Sequence, residues 1–132
     1  MTRREARNQA FILIFEKSIN GYEIEDILEA AKQCRDFIED NDGYAVNTFK
    51  GVFEKVEEID EDISKNLSGW AINRISKVSL AVLRLAIYEI KYLNDIPEAV
   101  SIDEAVELCK TYTTPDDASF VNGVLGSFVR SR

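Results

Sequence analysis

The chain has 132 residues, 45% of them hydrophobic and 30% charged, with a formal net charge of -8 at pH 7. These values fit a soluble cytoplasmic globular protein with a hydrophobic core, and no apolar run reaches the ~18 residues that span a bilayer. The chain has no histidine and therefore lacks the commonest general base and metal ligand. It also has no glycine-rich phosphate-binding motif, so we expect no catalysis, no cofactor and no metal.

The first half of the chain has the 3- and 4-residue spacing of apolar side chains that predicts helices, with almost no strand pattern. A first helix is expected over 3–19, opened by a capping box of Thr2 and Glu5. Further helices are expected over 24–39 and 44–57. A shorter acidic helix follows, with the apolar residues Ile59, Ile63 and Leu67.

The second half begins with the most hydrophobic segment. Residues 70–93 are apolar nearly all round from Ile75 onward, which is typical of a helix surrounded by other helices. A second capping box at 101–104 predicts a helix that runs to about residue 112. The last helix is expected to start with Thr114 as N-cap and Pro115 as its first helical residue.

Ser68 and Gly69 separate these two halves. We therefore predict an all-α protein of six to seven helices, built as one domain (1–132) from two packed three-helix-like groups. The groups are expected to span about 1–68 and 69–132.

Four small residues are assigned to packing. Cys34 and Cys109 lie among apolar helical residues, which predicts two buried, unpaired thiols. Gly123 and Gly126 lie inside the last predicted helix, where glycine costs about 1 kcal/mol relative to alanine. Close approach of another helix would explain their presence.

An arginine cluster opens the first predicted helix. Arg3, Arg4 and Arg7 fall within an arc of about 100° of its surface. Cations at this end of a helix cost about 0.3–1 kcal/mol, whereas unpaired N–H groups and guanidinium groups together suit a phosphate backbone. The alternative is a solvated helix end with incidental arginines.

A second basic strip follows the segment 70–93. Lys77, Arg84 and Lys91 recur every seven residues, and Asn73 falls on the same strip. Two separate basic surfaces on an acidic protein favour a nucleic-acid or acidic partner. Alternatively, acids from the middle of the chain balance this strip, since residues 23–64 carry fourteen acidic and four basic side chains.

Aromatic side chains beside arginine and lysine can stack on unpaired RNA bases. For each of them packing in the core is the alternative. The candidates are Phe15, Trp70, Tyr112 and Phe120.

Three stretches together resemble the NusB family of bacterial transcription antitermination factors. They are "RREAR" at the start, "RISKVSLAVLRLAIYEIKYLNDIPEAVSIDEAVELCK" at 74–110 and "FVNGVL" at 120–125. The resemblance implies an all-helical fold without catalysis. It also implies binding to single-stranded boxA RNA of nascent ribosomal RNA transcripts together with the ribosomal protein NusE. That pair joins NusA, NusG and RNA polymerase to suppress termination.

The resemblance also implies which residues contact RNA, and the basic strip adds Lys77 to them. A helical protein–protein scaffold without direct RNA contact is the alternative function. The sequence leaves open whether the protein is a monomer or a homodimer. The predicted RNA-binding residues are Arg3, Arg4, Arg7, Phe15, Asn73, Lys77, Arg84, Asp116, Ser119 and Phe120.

Overall fold

The structure is a computed structural model that describes residues 2–34 and 43–132. Within these ranges every regular element is helical, which confirms the all-α prediction. The helices are α1 (Arg3–Asn20), α2 (Ile24–Lys32), α3 (Tyr44–Glu54), α4 (Val56–Lys65), α5 (Lys77–Tyr92), α6 (Glu98–Tyr112) and α7 (Pro115–Arg130), with a 3-10 turn at Ile72–Arg74.

The first and last helices begin as predicted. The backbone N–H of Glu5 donates to the Thr2 hydroxyl over 3.1 Å, and the Glu5 carboxylate accepts from the backbone N–H of Thr2 over 3.0 Å. The Thr114 hydroxyl caps α7 by accepting from the backbone N–H of Asp117 over 3.1 Å. Gly21, with φ of 69°, ends α1 in the left-handed conformation that glycine adopts at no steric cost.

Two predicted helix starts are wrong. The fifth helix begins at Lys77 and not at residue 70, because the Ser76 hydroxyl caps it by accepting from the backbone N–H of Ser79. Asn73 therefore lies in the preceding 3-10 turn and not on the basic strip of α5. The sixth helix begins at Glu98, three residues before the predicted capping box, and Ser101 is a buried helical residue.

The middle of the chain is divided differently from the prediction. α3 ends at Glu54 and α4 begins at Val56, where 44–57 was expected to be one helix. Lys55, with φ of -111°, joins the two helices. The second predicted helix, 24–39, is confirmed over Ile24–Lys32, but it ends there with Gln33 as its C-cap, so its predicted continuation through Cys34 is wrong. Its predicted last residues, 35–39, lie outside the described residues.

Helix α5 is the centre of the packing. It contacts α1, α3, α4, α6 and α7, so apolar side chains on all its sides are removed from water. Among the described helices α6 and α7 pack together, and α1 packs against α2 and α3 as well as α5. Contacts between α1 and α5 thus join the first half of the chain to the second. The division of the helices into two groups near residue 69 stays a prediction.

The packing role proposed for two glycines is wrong. A Cβ on Gly123 would meet no atom within 4 Å, and one on Gly126 would meet only the end of the Arg130 side chain. The close approach occurs at Gly51 of α3, where a Cβ would overlap the phenol ring of Tyr88.

The two cysteines differ. Cys109 is buried as predicted, and burial raises the pKa of its thiol to about 12. Cys34 is exposed at the end of the first described range, so its predicted burial is wrong. Among the helices in the described ranges, none is long and apolar enough to cross a bilayer.

Candidate nucleic-acid interface

Two arginines at the start of α1 reach the surface. Arg4 donates from Nη2 to Glu104 Oε1 of α6 over 2.9 Å, and its side chain is 71% exposed. Arg3 is exposed, with its guanidinium carbon 4.3 Å from the centre of the Tyr44 ring. Exposed ion pairs contribute only ~0–1 kcal/mol, so Glu104 orients Arg4 without neutralising it firmly.

An open groove of about 810 Å³ runs from Arg4 along α6 to the start of α7. It brings together two predicted site residues, Arg4 and Ser119, which are far apart in the sequence. The groove contains both charge signs and exposed polar groups, which suits a ligand with a charged backbone and polar edges. Its lining residues are Arg4, Asp103, Val106, Glu107, Lys110, Pro115, Ala118, Ser119 and Asn122.

Arg7 does not lie on this surface, and the prediction of one exposed patch of three arginines is wrong. Its residue exposure is 4%, and its Nε donates to Glu89 Oε2 of α5 over 2.8 Å. Its Nη1 lies 3.8 Å from Glu104 Oε2. Three residues after Arg4, the Arg7 side chain points into the protein, where the buried Glu89 carboxylate compensates its charge.

The Glu89 carboxylate, 1% exposed, is the centre of a buried polar network. Besides Arg7, the hydroxyls of Tyr44 and Ser101 donate to it, the latter over 2.9 Å. Burial and then the Glu89 charge raise the pKa of Tyr44 above its usual range. Burial alone would lower the pKa of Arg7, but Glu89 raises it, so the guanidinium stays charged. The network ties α1, α3, α5 and α6 together.

The basic strip of α5 is largely occupied by acids of α4, as the alternative interpretation held. Arg84 forms a bidentate pair with Asp60 at 2.7 and 2.9 Å and donates to the Ser18 hydroxyl over 2.8 Å. Lys91 binds Asp62 at 2.8 Å and also pairs with Glu58. Lys77, at the first position of α5, is exposed.

Phe15 lies away from the groove. It is partly buried and stacks on Phe11, with ring centres 5.8 Å apart. A helix rises 1.5 Å per residue, so Phe15 is about 16 Å from Arg4 along the axis of α1. Tyr112 packs its ring against Phe11 and donates its hydroxyl to Asn8 over 2.7 Å.

A second cleft of about 590 Å³ lies on the other side of the start of α7. It brings together Asp116 and Phe120 of the predicted site. Successive helical residues point about 100° apart, so Ser119 faces the first groove while Phe120 faces this cleft. The lining residues are Trp70, Arg74, Ile75, Ser76, Asp116, Asp117 and Phe120.

The sequence did not identify the residues that complete these two surfaces. Glu107 and Lys110 of the first groove look like ordinary solvent-facing residues of α6, and Arg74 of the second cleft belongs to a segment that was predicted to be helical. Their proximity to α7 comes from the packing of α6 on α7, which no local pattern reveals. In the described part of the chain no group of histidine, cysteine, aspartate or glutamate is placed to hold a metal ion.

This arrangement defines a class of small helical proteins, in which a largely buried helix packs against five others and the first and last helices begin at one shared surface groove. The sequence pattern of the NusB family matches residues 4–130, and the chain belongs to that family.

Relatives of known name cover the chain almost completely. The transcription antitermination protein NusB of Clostridium botulinum (strain Kyoto / Type A2) is 42% identical over 143 aligned positions, which cover 98% of this chain and 100% of the relative. The protein of the same name from Acetivibrio thermocellus is 44% identical, over 98% of this chain and 90% of its own.

Solved structures give the same fold. NusB of T. maritima superimposes with a TM-score of 0.88 at 35% identity, over 100% of this chain and 93% of that one. A chain from the crystal structure of the antitermination factors NusB and NusE in complex with dsRNA superimposes with a TM-score of 0.86 at 28% identity. That match covers 98% of this chain and 97% of the other.

Proposed function

We propose that this protein is a non-enzymatic transcription antitermination factor of the cytoplasm. It binds single-stranded boxA RNA of nascent ribosomal RNA transcripts together with the ribosomal protein NusE. The pair acts with NusA and NusG on RNA polymerase to suppress termination. The observation that carries the proposal is the groove that joins Arg4 to Ser119, in a chain that belongs to the NusB family over 4–130.

Charge and exposure support a role for the groove in holding RNA. Arg4 and Lys110 line it, and Arg3 is exposed next to it in sequence. A phosphate can take the place of the Glu104 carboxylate on the exposed Arg4 guanidinium, because both anions form charge-assisted pairs with arginine. A NusB chain of the same fold has been crystallised with NusE and dsRNA, which supports an RNA-binding role.

The residues at the start of α7 supply contacts to bases. Asp116 and Ser119 are exposed, so they can pair with base edges, and Phe120 is partly exposed, so it can stack. In this proposal Arg7 and Arg84 hold helices in place through Glu89 and Asp60 and do not touch RNA.

The remaining predicted contacts are Asn73, Lys77 and Phe15, which lie outside both grooves. Asn73 and Lys77 are exposed and Phe15 is partly buried. Their contact with RNA stays a prediction.

The test is an equilibrium filter-binding titration with a boxA-like single-stranded oligonucleotide, with and without NusE. We expect Arg3→Ala/Arg4→Ala to weaken binding and to reduce the slope of log K against log salt by about 0.7 for each lost phosphate contact. The matched control is Lys50→Ala/Arg130→Ala, which removes the same charge from exposed positions outside the groove. It should leave the slope unchanged.

Two results would contradict the proposal. Binding that is equally weak for boxA-like and scrambled RNA, with and without NusE, would exclude an RNA-binding role. Tight binding to NusE with no RNA affinity in the pair would instead favour the helical scaffold.

A further inference from the structure

The cleft lined by Trp70, Arg74, Asp116 and Phe120 contains two side chains, Trp70 and Arg74, to which the proposed function assigns no role. The Trp70 side chain is 59% exposed, although burying an indole would stabilise the fold by several times the thermal energy. The cleft lies across the first turns of α7 from the groove at Arg4.

The backbone before Trp70 holds it at the surface. Ser68 and Gly69 both have positive φ values, 50° and 93°, and the backbone N–H of Trp70 donates to the carbonyl of Leu67 over 3.2 Å. Leu67 is buried, so the turn is anchored in the core. A non-glycine residue in the left-handed region is uncommon. The turn therefore presents the indole in a defined position.

Arg74 supplies a positive charge at the same cleft. It is exposed, and within the described ranges it makes no ion pair or side-chain hydrogen bond. By contrast, Arg4 and Arg7 of α1 and Arg84 of α5 each pair with a carboxylate.

Two carboxylates close the opposite side of the cleft. The Asp117 carboxylate accepts from the hydroxyls of Thr113 and Ser76 over 2.6 and 3.2 Å, which fixes it in place. Asp116 is exposed. Carboxylates repel phosphate but accept hydrogen bonds from the amino groups of bases. The charge pattern thus favours a nucleotide with its base towards α7 and its phosphate towards Arg74.

We propose that Trp70 and Arg74 form a second nucleotide subsite for unpaired RNA. One base stacks on the Trp70 indole, its phosphate pairs with Arg74, and the strand continues across the start of α7 into the groove at Arg4. This inference rests on the proposed function and extends it to residues that the family resemblance did not supply.

The experiment uses the intrinsic fluorescence of the full-length protein, because Trp70 is its only tryptophan. The protein is titrated with a boxA-like single-stranded oligonucleotide that carries unpaired nucleotides at both ends. We expect the fluorescence to be quenched, with the same midpoint as filter binding of the same oligonucleotide.

Substitutions then test the two contacts separately. Trp70→Ala should weaken binding about 5- to 100-fold, the range for loss of one stacked base, while Trp70→Phe keeps most of the affinity. Arg74→Ala should lower the salt slope by about 0.7, and Arg74→Lys should restore it. The control is Tyr22→Ala, which removes an aromatic residue of 61% exposure outside the cleft and should change nothing.

The outcomes separate this inference from the proposed function. RNA binding that depends on Arg3 and Arg4 but leaves Trp70 fluorescence and Trp70→Ala affinity unchanged overturns the subsite alone. A protein that binds no RNA overturns the proposed function as well. If NusE alone changes the signal and Trp70→Ala weakens binding to NusE but not to RNA, the cleft is a protein contact and the subsite is wrong.

Discussion

Arg4 and Arg7 lie one helical turn apart on α1, yet their surroundings are opposite. Arg4 is at the edge of an open groove and pairs with a partly exposed carboxylate. Arg7 is buried in the network that joins α1 to α3, α5 and α6, and it pairs with a carboxylate that is 1% exposed. The same residue type in the same short motif therefore occupies two environments, one at the surface and one in the interior.

The difference shows how a polar centre can prepare a binding surface. A buried ion pair contributes little net stability relative to apolar residues of the same size, but losing one partner costs several kcal/mol. The Arg7–Glu89 pair therefore holds α1 against α5 one turn after Arg3 and Arg4.

The largest expected effect comes from breaking the interior pair. Arg7→Met should destabilise the fold by about 3–5 kcal/mol, because Glu89 is left buried without a compensating charge. Chemical denaturation followed by circular dichroism measures this loss. The double variant Arg7→Met/Glu89→Gln removes both charges and should recover part of it. A loss for Arg7→Met as small as that for a surface arginine would remove the distinction between the two regions.

The interior network should also make the fold sensitive to alkali. The pKa of Tyr44 is raised in the folded protein, whereas a tyrosine in the unfolded chain ionises near pH ~10. Its contribution to stability is thus complete below pH ~10 and is lost above it, by about 1.4 kcal/mol per pH unit. Urea unfolding between pH 8 and 11 tests this. Tyr44→Phe should flatten the alkaline slope, and an unchanged slope would contradict the role of Tyr44.

Glycine substitutions compare the interior with the α7 surface directly. Gly51→Ala should be destabilising by about 1 kcal/mol, because overlap with Tyr88 outweighs the gain in helix propensity. Gly123→Ala should stabilise by about 1 kcal/mol, since nothing lies within 4 Å of the added methyl group. Thermal unfolding of the two variants measures the difference. Equal shifts in melting temperature would mean that the Gly51 contact relaxes freely.

The smallest effect on stability is expected at the groove itself. Arg4→Ala should change the free energy of unfolding least of these variants, because the Arg4 side chain is 71% exposed. RNA affinity should nevertheless fall. If Arg4→Ala instead lowers the free energy of unfolding as much as it lowers the free energy of RNA binding, Arg4 stabilises the fold as the interior residues do.

Much of the fold follows from local patterns. Thr2 with Glu5 and Thr114 with Pro115 mark helix starts because capping depends on neighbouring residues. The predicted starts of α5 and α6 are wrong for two reasons. The apolar spacing of α5 continues into the turn before Lys77. Ser101 resembles an N-cap in the sequence, but its hydroxyl donates to Glu89 of another helix. Tertiary contacts thus overrode a good local signal.

The candidate site was predictable in composition but not in arrangement. Arg4 and Ser119 were both named from sequence and do share a groove. The burial of Arg7 was not predictable, because helical spacing gives the angle of a side chain but not the position of Glu89. Likewise Arg74 came to adjoin Phe120 through a 3-10 turn that the apolar pattern concealed.

The acids of α4 have one more consequence. Asp60 and Asp62 cancel the charges of Arg84 and Lys91, so these two cations of the α5 strip are masked while Arg3, Arg4 and Arg74 remain exposed elsewhere. Such asymmetry acts before contact, because it turns a diffusing molecule so that its cationic side meets a polyanion first. The net negative charge of the rest of the protein would then favour collisions in the binding orientation, and this steering would be strongest at low salt.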